Sequence, residues 1–551
     1  MEQTSKDVME PKVAPEILLK QFLYLSNTIG YNLFFTGKPE THKNFDAWSL
    51  PFITDLLKSG NPHVILNIIE NTNGLDAIPN RETLFYVLAL ITLAETTPAF
   101  KHHVYRTTLQ VIRNDEDFFN YIKFVTRLNK TFSKGINKII ARYYLNKEPK
   151  QLLKDFGCKN GYHGWTHKDL IKLSHLKSKD LFTNAILDYV LRGSASGIIR
   201  ANGDKEALSA IEYLDKCKEY RKCLDDDTAA EMLSELNYDI TYPPDAVKKP
   251  LKVWETLIEH MDLKDVIRNL VKFYKLYLLK LESSFCTKLI DILTNEEKIK
   301  QSKLQPLDVF IALKLFENGG KSRDPHLVKY LTDLKAENDK VNKKQNIITS
   351  ANILISDPIS CPHISNVLNL TLQMSTCNFE TTGKRFLINI VLDKTKCTTL
   401  NNINCDEAAA IITVPYVIAE KDVIVTKQLP NECVDFDIDF SNFKDAVNAL
   451  KKANKLETDI RYQKMEFDYA IENQKLVDVF IHISGSPVQN IKSTTESFNK
   501  YKEIMKMPSA KLVLLNFYNT RKKSYDESIL SIQGFDTNIP KIINAFIKNL
   551  F

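Results

Sequence analysis

The chain has 551 residues and a mass of 63.3 kDa, too long for one compact core, so two or three domains are expected. Its 44% hydrophobic and 26% charged content is that of a folded globular protein and excludes a disordered or fibrous class. The longest apolar stretch, Leu84 to Ala94 broken only by Thr92, falls short of the ~20 residues that span a bilayer, so no membrane segment is expected. No signal peptide is read at the N-terminus. Nine cysteines without a CxxC pair or zinc-finger spacing read as free thiols in a reducing compartment, the cytoplasm and possibly also the nucleus.

The net charge of +6 is unevenly spread. Residues 121–180 hold 14 Lys/Arg against 4 Asp/Glu, a local +10 that leaves −4 for the rest. Such a concentrated positive field attracts a polyanion, and release of the polyanion's counterions makes binding salt-sensitive. A solvated basic face is the plainer reading of the same charges.

From Pro15 to Gly320 the pattern is helix after helix. Leu84, Val87, Leu88 and Ile91 form one amphipathic stripe, and Phe118, Tyr121, Ile122 and Val125 another, begun by Asp115 and Asp117. Val253, Leu257 and Met261 repeat it. Many helices joined by short breaks suggest stacked helix pairs, although no clean repeat period is visible. Residues 321–362 lose the apolar periodicity and read as a polar insertion or linker.

After Gly383 the pattern changes. Phe386–Leu392, Val423–Val425, Val477–Ile483 and Ala510–Phe517 read as buried strands. Helices are expected from Asp406 until Pro415 and over Asn442–Ala453, Gln463–Glu472, Ile491–Met505 and Ile539–Leu550. This alternation predicts a mostly parallel sheet with helices on both faces, placing Asp393, Ser484 and the residues after Phe517 on one rim.

The stretch Gly164–Lys177 is the most informative. Thr166 and Asp169 resemble a capping box, which puts His167 and Lys168 in a first helical turn, where unpaired N–H groups and the helix dipole favour an anion. Lys172 follows one turn on, and Trp165 offers a flat face for a base. Upstream, Lys134, Lys138 and Arg142 stand at i, i+4, i+8, opposite the apolar face of Ile136, Ile139, Ile140, Tyr143 and Tyr144, a spacing that tracks phosphates. A capped helix with a wet, lysine-bearing side explains the same residues without a ligand. No HExxH, Walker loop or GxSxG is present, so no enzyme is expected.

Gly164–Lys177 resembles the TROVE signature GWSHKDLLRLSHLKP of the Ro (SS-A) autoantigen family, with Thr166 in place of a Ser. Phe22–Leu25, Met261–Leu270 (family MPLTALLRNL), Pro306–Leu313, Thr382–Leu387, Met507–Leu512 and Gly534–Thr537 match in the same order. The resemblance implies a monomeric ring of HEAT-like helical repeats over 15–375 and a von Willebrand A-type α/β domain over 376–551. It also implies small noncoding RNA as partner: misfolded RNA ends in the ring and Y RNA outside it, for RNA quality control. His167 matches the signature histidine implicated in RNA binding, and Lys134 and Lys138 fall in a basic family segment, GRALRKAI, where Asn137 replaces an Arg.

The family's DxSxS metal site is degenerate here. Ungapped alignment puts Val391 at the first Asp, with Asp393 and Thr395 in the serine slots; a two-residue shift gives Asp393, Thr395 and Cys397. Thr458 matches the later threonine, and Gly485 stands where the last aspartate is expected. Mg²⁺ requires hard, anionic oxygen ligands, so no divalent metal and no cofactor is expected. The alternative to an RNA-binding ribonucleoprotein component is a helical-repeat protein-interaction scaffold without RNA.

Overall fold

A computed structural model describes residues 13–28, 30–32, 50–75, 77–129, 131–158, 161–319, 359–392, 403–429, 432–436, 442–453, 465–485, 491–517 and 526–551. Residues 320–358, which make up most of the expected insertion, lie outside the described residues. Among the described residues no helix is long and apolar enough to cross a membrane. Among the described residues seven cysteines are free thiols, whereas Cys405 is disulfide-bonded, a departure from the expectation of free thiols throughout.

The described residues fall into two compact units. The first takes residues up to Ala207, apart from Asn32, together with 548–551, and the second runs from Leu208 to Ile547.

Helices of the first unit are α1 (Pro15–Leu25), α2 (Pro51–Lys58), α3 (His63–Gly74), α4 (Glu82–Leu93), α5 (Pro98–Val111) and α6 (Asp115–Leu128). They continue as α7 (Lys134–Leu145), α8 (Pro149–Cys158), α9 (His167–Ser174), α10 (Leu181–Arg192) and α11 (Ser194–Ala201). Several of these starts have a local cause. Thr97 caps α5 by accepting from the Phe100 N–H, with Pro98 at the first helical position. Asn114 caps α6 and is followed by three acidic residues at the positive end of the dipole. Alternate helices pack on one another, α3 on α5, α4 on α6, α5 on α7 and α7 on α9. The α4–α6 core is aromatic, with Phe85, Tyr86, Phe118, Tyr121 and Phe124 fully buried. At its edge Arg81 makes a bidentate pair with Asp117 and also donates to Asn73 and the Val111 carbonyl, tying the ends of α3 and α5 to α6.

The second unit continues with α12 (Lys205–Lys222), α13 (Asp226–Glu235), α14 (Leu251–Leu257), α15 (Leu263–Arg268) and α16 (Leu270–Lys275). Then come α17 (Ser284–Leu293), α18 (Glu296–Ser302), α19 (Pro306–Glu317) and α20 (Pro362–Met374).

In the first unit two short strands, β1 (Gly161–Tyr162) and β2 (Trp165–Thr166), form a hairpin ahead of α9. The second unit ends in an α/β region: β3 (Arg385–Val391), α21 (Cys405–Ala419), β4 (Asp422–Gln428), β5 (Cys433–Asp435), α22 (Phe443–Ala453) and α23 (Glu466–Glu472). It is completed by β6 (Val479–Ser484), α24 (Ile491–Ile504), β7 (Lys511–Asn516), β8 (Ile529–Gln533) and α25 (Ile539–Ile547).

Strands β3 to β8 stand in the order β8-β7-β6-β3-β4-β5, all neighbours parallel except β4 and β5. Every residue of β6 and β8 is buried, so both faces of the sheet are covered, as expected of parallel strands. Helix α21 runs through Pro415 instead of stopping there. It is buried along most of its length, and Tyr416 packs edge-on to Phe379, so tertiary packing outweighs the lost hydrogen bond.

A buried polar chain threads the sheet. The Glu466 carboxylate, fully buried at the start of α23, bonds His482 Nδ1 at 2.9 Å and accepts from Asn389 at 2.9 Å, and Thr426 donates to Asn389. Burial alone would raise the Glu466 carboxyl, but the charge and hydrogen bond of His482 outweigh it and hold the group below its ordinary value.

Candidate nucleic-acid interface

The hairpin before α9 is built by its turn. His163 and Gly164 both have positive φ (53° and 80°), the two-residue geometry that suits a right-twisted hairpin. Gly161, at φ 149°, lies so close to the Trp165 carbonyl that a Cβ would come within 2.0 Å of it. Thr166 then leaves the strand as the N-cap of α9. Its hydroxyl accepts from the Asp169 N–H at 3.1 Å, and the Asp169 carboxylate accepts from the Thr166 N–H at 3.1 Å, the capping box read from the sequence.

Two contacts lay this unit along α7. The Trp165 ring meets Phe132 edge-on at 5.4 Å, just before α7 begins. His167 Nδ1 lies 3.0 Å from the Tyr144 hydroxyl in the last turn of α7.

The expectation that His167 offers RNA a surface donor is corrected here. The side chain is 3% exposed and enclosed by the rings of Phe119, Tyr144 and Phe156, all at 5.0–5.8 Å. Burial lowers its pKa to about 4, outweighing the attraction of Asp115, whose Oδ2 is 3.5 Å from Nε2. His167 is therefore neutral at physiological pH, and the distances fit a tautomer in which the Tyr144 hydroxyl donates to Nδ1. Asp115 also accepts from the Tyr143 hydroxyl and from Lys147 at 2.5 Å each, and Lys147 pairs with Asp155. Burial and the nearby Asp115 push the Asp155 carboxyl upward. This knot of α6, α7, α8 and α9 went unread in the sequence, because its members lie far apart along the chain.

The cations lie where the sequence places them. Lys134, Lys138 and Arg142 on α7, and Lys168 and Lys172 on α9, are exposed, and none makes an ion pair with a described residue. Elsewhere in the unit Arg81, Lys123, Lys147, Arg192 and Arg200 are paired to carboxylates. Lys134 begins α7 with no acidic residue in the first turn, so a cation faces the positive end of the dipole. Trp165 is half-buried.

On the sheet rim Val391 pairs in register with Ser484, and the Gly485 N–H bonds the Val391 carbonyl at 3.0 Å. The two positions where carboxylates were sought are thus neighbours, and neither supplies an anionic oxygen. Asp393, Thr395 and Thr458 lie outside the described residues. Among the described residues no group of three His, Cys, Asp or Glu could hold a metal.

A helical region followed by this α/β sheet defines a protein with a TROVE domain and a von Willebrand A-type domain. The TROVE domain model matches residues 243–361, and the Ro60 vWA domain model matches 385–547. The chain belongs to the Ro family. "RNA-binding protein RO60" of Caenorhabditis elegans is 20% identical over 574 residues, covering 90% of this chain and 83% of that protein. The crystal structure of the Deinococcus radiodurans RO (RSR) protein shares the fold at a TM-score of 0.75 and 16% identity, covering 98% of this chain and 100% of that one. The Gly164–Lys177 signature falls before the span of the TROVE match.

Proposed function

We propose that this chain is an RNA-binding component of a Ro-like ribonucleoprotein, holding misfolded or small noncoding RNAs, Y RNA-like ones included, for RNA quality control. It does so as a monomeric HEAT-like ring over 15–375 joined to a von Willebrand A-type domain over 376–551, without catalysis and without a divalent metal, in the cytoplasm and possibly also in the nucleus. One observation carries the reading: five exposed cations, Lys134, Lys138, Arg142, Lys168 and Lys172, stand on two packed helices and make no ion pair with a described residue. A phosphate backbone is the ligand that such cations suit, and recognition rests on backbone charge and single-stranded ends more than on a base code. Lys134, Lys138, Arg142, Lys168 and Lys172 contact phosphate, and Trp165 presents the exposed part of its ring to a base. His167 acts as a positioning residue, fixing α9 against Tyr144 so that Lys168 and Lys172 face outward.

Filter binding of a folded RNA with a single-stranded end tests this. Lys134→Ala/Lys138→Ala weakens binding and lowers the slope of log affinity against log salt by about 2, with thermal unfolding unchanged. Unchanged affinity argues for a scaffold that docks protein instead, as does purified protein that carries no nucleic acid. Sequencing RNA that co-purifies from the native cell identifies the ligands.

A further inference from the structure

A second patch lies in the other unit, where α16 ends. Leu276 N–H bonds the Lys272 carbonyl, Tyr277 N–H the Tyr274 carbonyl, and Leu278 N–H reaches back to Phe273 at 3.1 Å, the closing bonds of a left-handed helix cap. The residue in the left-handed conformation is Tyr277, at φ 61°. Glycine or asparagine is the ordinary occupant of such a position, because a bulky side chain strains the backbone there. The ring gains no burial in exchange: Tyr277 is 77% exposed, while the next residue, Leu278, is buried. Strain kept for an outward-pointing aromatic ring points to a ligand for the ring.

Its surroundings suit one. Tyr274, Lys275, Tyr277, Leu279 and Lys280 line an open cavity of about 350 Å³, within the roughly 300–1,000 Å³ of small-molecule sites. Tyr274 is held edge-on by Phe316 at 6.2 Å, and the Leu279 carbonyl is fixed by His363 Nε2 at 2.8 Å, so the floor is rigid. Lys275 and Lys280 are exposed and make no ion pair with a described residue, whereas Arg268 and Lys288 nearby are paired with Asp265 and Glu259. Two phenol rings beside two free ammonium groups match a nucleobase and its phosphate, since bases stack on aromatic rings and backbones follow cations.

We propose that Tyr274, Tyr277, Lys275 and Lys280 form a seat for one nucleotide of single-stranded RNA, the base stacked on tyrosine and the phosphate held by lysine. This rests on the RNA-binding reading above but uses a different unit and different residues. The test follows fluorescein-labelled decauridine by anisotropy, with blunt duplex RNA as the second probe. Tyr277→Asn keeps the backbone conformation, so Tm is expected unchanged or raised while Kd for decauridine rises about tenfold, the loss of one stacked base. Tyr274→Leu weakens decauridine in the same sense, and Kd for the duplex moves in neither variant. A decamer carrying 5-iodouridine crosslinks to the peptide Leu276–Lys280. A lowered Tm in Tyr277→Asn, or an unaltered Kd, overturns the seat. If Lys134→Ala/Lys138→Ala still weakens structured RNA, the functional reading survives that failure. Wild-type protein that binds neither RNA overturns both. Displacement of decauridine by poly-glutamate at equal charge reassigns the patch to acidic protein and overturns the nucleotide assignment.

Discussion

His167 has the clearest consequence for solution behaviour among single residues. Its folded pKa of about 4 lies below the unfolded value near 6.5, so the unfolded chain takes up a proton first as pH falls. Its stabilising contribution is complete above about pH 6.5 and drains away toward pH 4, on the order of 3 kcal/mol for a group so buried. Urea midpoints at pH 7 and 4.5 should fall more steeply for wild type than for His167→Gln; parallel falls would show that the ring is not enclosed. The burial was legible in hindsight. His167, Leu170 and Ile171 stand at i, i+3, i+4 and form the inward stripe of α9, a periodicity that outweighs proximity to a helix N-terminus. The exposed row Lys134, Lys138 and Arg142 was legible for the complementary reason, lying opposite Ile136, Ile139 and Ile140, all of which are fully buried.

Among elements, the hairpin ahead of α9 is the most exacting. A methyl group at Gly161 meets backbone, not a side chain that could swing away, and φ 149° disfavours any L-residue. Gly161→Ala is expected to cost about 1–3 kcal/mol and to displace Trp165, read as a lower Tm and a changed tryptophan emission. Thr166→Ala removes one half of the capping box and should cost about 1 kcal/mol, measurable by chemical denaturation. The cap was readable because its partners are three residues apart. The hairpin was not, because two-residue strands carry no periodicity. Strand β8 also escaped notice: Ile529–Gln533 is short and carries Ser531 and Gln533, both buried despite their polarity. Within the sheet, Glu466→Leu leaves His482 without its carboxylate partner in an enclosed site, with an expected loss of about 3–5 kcal/mol.

For the whole molecule, the change from helices to alternating strands was visible as a change of apolar pattern, since buried parallel strands read as continuous runs such as Phe386–Leu392. The division of packing near residue 207 was not, because it falls inside a long helical region with no change of composition. Equilibrium dialysis is expected to show no stoichiometric Mg²⁺, given the neutral Val391 and Gly485 on the rim; one equivalent bound would require ligands beyond those described. The strands behind that rim have a different consequence. Since every side chain of β6 and β8 is already engaged with one face or the other, substitutions there are spent on stability and cannot introduce a new specificity. Divergence of this domain is therefore channelled into the segments that follow Val391, Ser484 and Asn516. There a carboxylate can be lost or a polar group gained while the scaffold beneath keeps its shape.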